Sequence, residues 1–281
     1  GDVALFRPLE GPRRTVLPES ALLPSWLKAR PDPFSLGKRR VWTSLGALAR
    51  GVPPLRGWHA QQLRKFALPL ASREDVLLFA DSDMLFLRPF ALDSLTTDGA
   101  VRPHAKPGGI TADVAAHVSG RGVAASLLRL HAPAIPSPDY INNLVTWRRD
   151  NVLALHRHIE AVSGRGWVEA IARQRQFSEY MIYGYFVERV LGLAAAGHVA
   201  DSHELCKSYW GGDATGIASL HSFEEVLERG QVAVGVQSFI GQPVSQLKAL
   251  FEAQSPRVPA PVRAGGRSPP PSAARPARRR R

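Results

Sequence analysis

The sequence predicts an α/β domain over residues 1–253, with a mixed, mostly parallel sheet flanked by helices, and a disordered Pro/Arg-rich tail over residues 254–281. Three observations carry this. Short apolar runs alternate with segments of helical periodicity, the pattern of strands interleaved with helices. No self-similarity occurs at a period of about 20 to 50 residues, which argues against solenoids and propellers. No linker-like stretch precedes Gln254, so a single domain is expected.

The elements follow in chain order. Arg14–Leu17 has the composition of a short strand, and the proline-rich stretch Leu22–Phe34 reads as a surface loop. From Gly57 to Leu70, Leu63, Phe66, Ala67 and Leu70 recur at i, i+3, i+4, i+7, which marks an amphipathic helix. Val76–Ala80 (VLLFA) is continuously apolar and suits a strand buried on both faces. It runs into Asp81-Ser82-Asp83, and Arg88-Pro89 makes a turn. A helix over Ala112–Leu130 is weakened by Gly120 and Gly122. A strand over Tyr140–Trp147 leads into a helix through Ile159. Ser178 is an N-cap for a helix that carries Ile182, Phe186 and Val190 on one face. Val232–Phe239 reads as a strand and Val244–Ala253 as the last helix.

Composition narrows the function classes. Hydrophobic residues make up 44% and charged residues 21%, a globular balance. Cys206 is the sole cysteine, which excludes a disulfide scaffold and points to a reducing compartment. The net charge of +12 suggests a polyanion partner until its location is considered. Gln254–Arg281 holds eight arginines and no acid, so the body carries only +12 − 8 = +4. That tail has too little apolar surface to offset its ordering entropy. Solubilisation, or weak contact with anionic lipid or nucleic acid, is its expected role. No apolar run reaches the roughly 20 residues of a membrane helix, and no signal peptide is visible. A cytoplasmic location is expected, with peripheral contact at the inner face of the membrane open to the tail.

Chance alone supplies roughly half a D-x-D triplet in a chain with 12 aspartates, so context must carry the motif. Here it closes the most apolar strand, where open α/β sheets place their ligand crevices. Side chains two apart on an extended chain share a side, so Asp81 and Asp83 can converge on one ligand. A hard cation, Mg²⁺ or Mn²⁺, relieves their repulsion and leaves positions for phosphate oxygens. Transfer from a nucleotide-activated donor is the chemistry implied.

Residues 57–90, with GW-x-x-QQ-x-x-K and then D-x-D-x-x-F-L-R-P, resemble DxD-type glycosyltransferases of the GT-A fold. They are most similar to a bacterial glycosyltransferase-like family of unknown function. YINNLVTWRRD, FSEYMIYGYFV, LCKSYW and VGVQSF extend the resemblance over most of residues 1–250. It implies a GT-A-like single domain and a metal-dependent glycosyltransferase that moves a sugar from a nucleotide-diphosphate donor to a carbohydrate or glycoconjugate acceptor. Asp83 becomes the principal metal ligand and Asp81 its companion, in contact with metal or donor. Lys65, with Gln61 and Gln62 on the adjoining turn, is placed at the donor. A third metal ligand in such folds is often a late histidine; of His198, His203 and His221, His203 lies in a resembling segment. Glu179, in the first turn of a helix beside Phe177, Tyr180 and Tyr183, is a candidate acceptor-side carboxylate, and if the reaction inverts, it or another carboxylate is the general base. Trp210 and the Gly211-Gly212 turn would wall the acceptor or diphosphate. GT-A domains place more residues ahead of the motif than the 80 here, so the resemblance implies either a domain truncated of its first βα unit or a degenerate copy.

Rival readings remain. Haloacid-dehalogenase-like phosphatases also end a strand in D-x-D, but Thr or Val normally stands where this chain has Leu85, and Gly212-Asp213 is a poor downstream acidic partner. A polyanion-binding protein acting through its tail, and a glycosyltransferase-like protein that has lost catalysis, are the others.

Overall fold

The structure, a computed structural model, describes residues 3–30, 40–210, 217, 220–237 and 240–252. The periodic segment folds as helix α1 (Gly57–Ala71), with Leu63, Phe66 and Ala67 buried and Leu70 exposed at its last turn. Strand β1 (Val76–Ala80) follows, then the acidic turn, then β2 (Met84–Phe86). Helix α2 covers Ala115–Leu127 despite its two glycines. Strand β3 (Leu144–Arg148) feeds α3 (Arg149–Ser163), which stops on Gly164 in the left-handed region at φ 65°. Helices α4 (Trp167–Ala172) and α5 (Glu179–Tyr185) come next. Ser178 caps α5 by accepting from the Met181 amide, and the helix continues as a π-helical turn over Phe186–Leu191. Strands β4 (Cys206–Tyr209) and β5 (Ala233–Val236) and helix α6 (Val244–Glu252) complete the described chain.

The protein is α/β, with small mixed sheets flanked by helices. The sheets depart from the mostly parallel arrangement expected. Strand β1 pairs antiparallel with β3, from Val76 opposite Arg148 to Ala80 opposite Leu144. The order β4-β5-β2 forms a second sheet, in which β4–β5 is parallel and β5–β2 antiparallel. The remaining described pairs are short and antiparallel. Apolar runs report burial and carry no information on the direction of the partner strand.

Other expectations shift for local reasons. Only Leu77 and Phe79 of β1 are fully buried, while Val76 and Ala80 are exposed, so the strand is covered chiefly on one face. Arg14 forms an isolated bridge with Gly11 rather than a strand through Leu17; Pro18, which has no amide donor, follows immediately. Strand β3 starts at Leu144 rather than Tyr140. Asp139 accepts from the Ile141 amide and Asn142 from the Leu144 amide, both at 3.0 Å, and these side chains hold the backbone in turns. Phe239, Ala253, the loop residues 31–39 and the tail lie outside the described residues.

The main core lies between the β1–β3 pair and helices α1, α3, α4 and α5. Trp147 of β3 is at its centre, 4.7 Å from Tyr183, 4.7 Å from Phe79 and 5.3 Å from Phe66, centroid to centroid. Tyr140 lies flat against α5, and a Cβ on Gly184 would sit 2.2 Å from its ring. A second cluster, including Leu87, Tyr209, Phe223, Val234 and Leu250, packs around β4-β5-β2 and α6. The acidic turn is the passage between the two layers. No described helix is long and apolar enough to cross a membrane.

Candidate functional site

Both ends of the acidic turn are tied down by backbone. The Asp81 amide donates to the Asn143 carbonyl at 3.3 Å, and the Val236 amide donates to the Asp83 carbonyl at 3.0 Å. Asn143 just ahead of β3 and Val236 at the end of β5 thus fix where the two carboxylates leave the chain. Asn143 also accepts from the Gln237 side chain at 3.0 Å, and its amide nitrogen lies so close to Gly235 that a Cβ there would be 2.1 Å away.

Helix α1 presents Trp58, Gln61, Gln62 and Lys65, spaced i, i+3, i+4, i+7, to the same cleft. Lys65 Nζ stands 2.8 Å from Asp81 Oδ1 and 3.0 Å from Glu179 Oε1, and it also donates to the Tyr180 hydroxyl. Gln61 Nε2 donates to the same Asp81 oxygen at 3.2 Å. Gln62 accepts the Glu179 amide at 3.0 Å, which takes one of the donors left open at the start of α5. Lys65 is 9% exposed and Glu179 4%.

The electrostatics follow from this burial. Desolvation alone would lower the Lys65 pKa, but Glu179, Tyr180 and Asp81 together outweigh it and hold it above the usual lysine range. Burial pushes the Glu179 carboxyl up, against the pull of Lys65. Burial likewise raises the Tyr180 hydroxyl, so the tyrosine stays neutral. One cation thus contacts two carboxyl groups, with Asp83 lining the same cleft.

The cleft encloses ≈ 570 Å³ and brings together Lys65, Gln61, Gln62, Asp81, Asp83 and Glu179, with Phe177, Tyr180 and Trp210 also in its wall. Tyr183 instead turns into the core, where its hydroxyl meets His198 Nε2 at 2.7 Å. His203 lines a different cavity, of ≈ 330 Å³, with Arg102, His104 and Asp201. Gly211-Gly212 and Asp213 fall outside the described residues. Trp58, His117 and Gln237 line the main cleft without having been singled out from sequence. For Trp58 a signal existed, since it lies one helical turn before Gln61 on the same face.

Among the described residues, no group of three His, Cys, Asp or Glu side chains is placed to hold a metal. Mg²⁺-type ions, however, are commonly held by one or two carboxylates together with substrate phosphates. Asp81 and Asp83 fit that pattern. The contacts of Asp81 with Lys65 and Gln61 both use Oδ1, which leaves Oδ2 for a cation. Cys206 offers no thiolate, because burial raises its pKa to about 12.

The sequence model of the Family of unknown function (DUF6492) matches residues 3–244. No curated protein matches the chain.

Proposed function

Since the chain belongs to that family of unknown function, we propose from the cleft itself that it is a metal-dependent glycosyltransferase acting on a nucleotide-diphosphate sugar. The observation that carries this is the Lys65 ammonium within ion-pair distance of both Asp81 and Glu179, in a cleft that also holds Asp83. A motif carboxyl thereby shares one cation with a carboxyl on another element, so a candidate donor-side group and a candidate acceptor-side group stand in one cleft. Mn²⁺ or Mg²⁺ held by Asp83 and Asp81 Oδ2 would supply positive charge to a departing diphosphate.

The chain's own groups have separable roles. Lys65 and Gln61 orient Asp81 and keep it from turning away from the donor. Phe177, Tyr180 and Trp210 offer rings against which a sugar can lie. In an inverting transfer, Glu179 would take the acceptor hydroxyl proton as the new C–O bond forms and the bond to the diphosphate oxygen breaks. Its raised pKa brings it toward the range suited to a general base at neutral pH.

The test is calorimetric titration of the full chain with UDP, GDP and dTDP, with and without Mn²⁺. Asp83→Ala is expected to abolish Mn²⁺-dependent nucleotide binding, and unchanged binding would remove the motif from the donor site. Glu179→Gln is expected to lower turnover and leave donor binding intact; loss of both together would move Glu179 out of the acceptor side.

A further inference from the structure

A second groove, of ≈ 800 Å³, adjoins the cleft and shares Trp58 and Gln176 with it. Its charged lining is all basic: Arg56, Arg173 and Arg175 line it and no acidic residue does. Arg173 is engaged by Glu169 at 4.0 Å and by the Arg50 carbonyl. Arg56 and Arg175 are exposed, and neither is paired with a carboxylate among the described residues. One buried imidazole sets the two apart at a fixed spacing. His59 Nδ1 accepts from the Arg56 amide at 3.2 Å, and His59 Nε2 donates to the Arg175 carbonyl at 3.0 Å. Those two bonds require the neutral ring, and burial lowers the His59 pKa accordingly. The Trp58 ring stacks on that same imidazole at 3.8 Å and is itself 43% exposed at the junction of groove and cleft.

Unpaired guanidinium groups held on a rigid backbone suit bidentate recognition of carboxylate or phosphate. An exposed indole beside them suits the apolar face of a sugar ring. The cleft is lined by the carboxyl groups of Asp81, Asp83 and Glu179 and the groove by none, so the two adjoining surfaces differ in charge character. We infer that the groove is the acceptor channel and that the acceptor is an anionic saccharide, bearing carboxylate or phosphate groups that Arg56 and Arg175 engage. The inference rests on the glycosyl-transfer reading and deepens it.

The experiment titrates the full chain and its Arg56→Gln/Arg175→Gln variant with tetragalacturonate, a phosphorylated tetrasaccharide, neutral cellotetraose and an oligo-dT strand. Both proteins keep the same C-terminal tail, so any difference between them belongs to the groove. The acidic saccharides are expected to bind the parent and to bind the variant about ten-fold more weakly or worse, because the variant lacks both charge-assisted donors. Whichever acidic saccharide binds more tightly identifies carboxylate or phosphate as the group recognised. Equal binding of cellotetraose, equal binding by the variant, or an oligo-dT affinity with the same arginine dependence would each overturn the assignment. Mn²⁺-dependent nucleotide binding, measured on the same two proteins, is expected to be unchanged. Its absence from both would refute the transfer reading separately, with the saccharide titrations still deciding the groove.

Discussion

Replacing Lys65 with Met tests whether the cluster is a charged triad held in low dielectric. The substitution keeps the aliphatic volume of the side chain and removes the only cation that contacts both Asp81 and Glu179 among the described residues. Breaking a buried ion pair from one side costs about 3 to 5 kcal/mol, because the remaining charge is left uncompensated. Against a total stability of about 5 to 15 kcal/mol, that loss is large. The pH dependence carries the sharper signature. Glu179 already has a folded-state pKa raised by burial, and without Lys65 it rises further. A carboxyl with a raised folded pKa binds its proton more tightly folded than unfolded, so its penalty is absent below the unfolded value and grows as pH rises. Urea unfolding should therefore show a smaller loss near pH 5 than near pH 8. Lys65→Met/Glu179→Gln should recover at least about 2 kcal/mol of the loss, because the orphaned charge is gone. A loss under about 1 kcal/mol at both pH values, or a double variant no more stable than the single, would refute the triad.

Two further predictions concern stability. Gly184→Ala places a methyl 2.2 Å from the Tyr140 ring and should lower stability by about 1 to 3 kcal/mol or more, read as a fall in Tm. His156 and His198 are buried, and burial lowers each to about 4. His198 donates from Nδ1 to the Val101 carbonyl while its Nε2 faces the Tyr183 hydroxyl, an arrangement that needs the neutral ring. A histidine with a lowered folded pKa contributes stability above its unfolded value and loses it as pH falls. Unfolding free energy should therefore drop between about pH 6.5 and pH 4, by no more than about 3 kcal/mol per ring. A flat profile across that window in urea titrations would contradict the neutral assignment.

The local elements were readable from the sequence where one physical signal dominates. The apolar spacing from Leu63 onward marks α1, the run VLLFA marks β1 to the residue, and Ser178 marks the start of α5. Pairing was not readable, because Leu77 and Phe79 need burial whichever way their neighbour runs. The same limit applied at Asp139 and Asn142, whose side-chain oxygens accept backbone amides ahead of β3. Within the cleft, spacing marks Asp81 and Asp83 and the helix start beside aromatic residues marks Glu179, whereas Lys65, Gln61 and Gln62 are implied by the family resemblance. That Lys65 touches both carboxylates depends on the approach of α5 to α1, and no local pattern encodes a contact over 114 residues of chain (179 − 65 = 114). His203 comes from a resembling segment, and it lines a separate cavity together with Gly230 rather than the cleft of the two aspartates.

The tie between the Asp83 carbonyl and the Val236 amide has a consequence for how the protein is made. Strand β2 finds its only described partner in β5, about 150 residues further along the chain, so pairing of such high contact order closes late. As the polypeptide leaves the ribosome, α1 and β1 can collapse onto the helices that follow, but the acidic turn has nothing to anchor its far side. Competence for the cleft therefore waits on the emergence of β5. A nascent chain stalled before Ala233 would hold Asp81 against Lys65 and Asn143 while Asp83 lacked its tie to Val236.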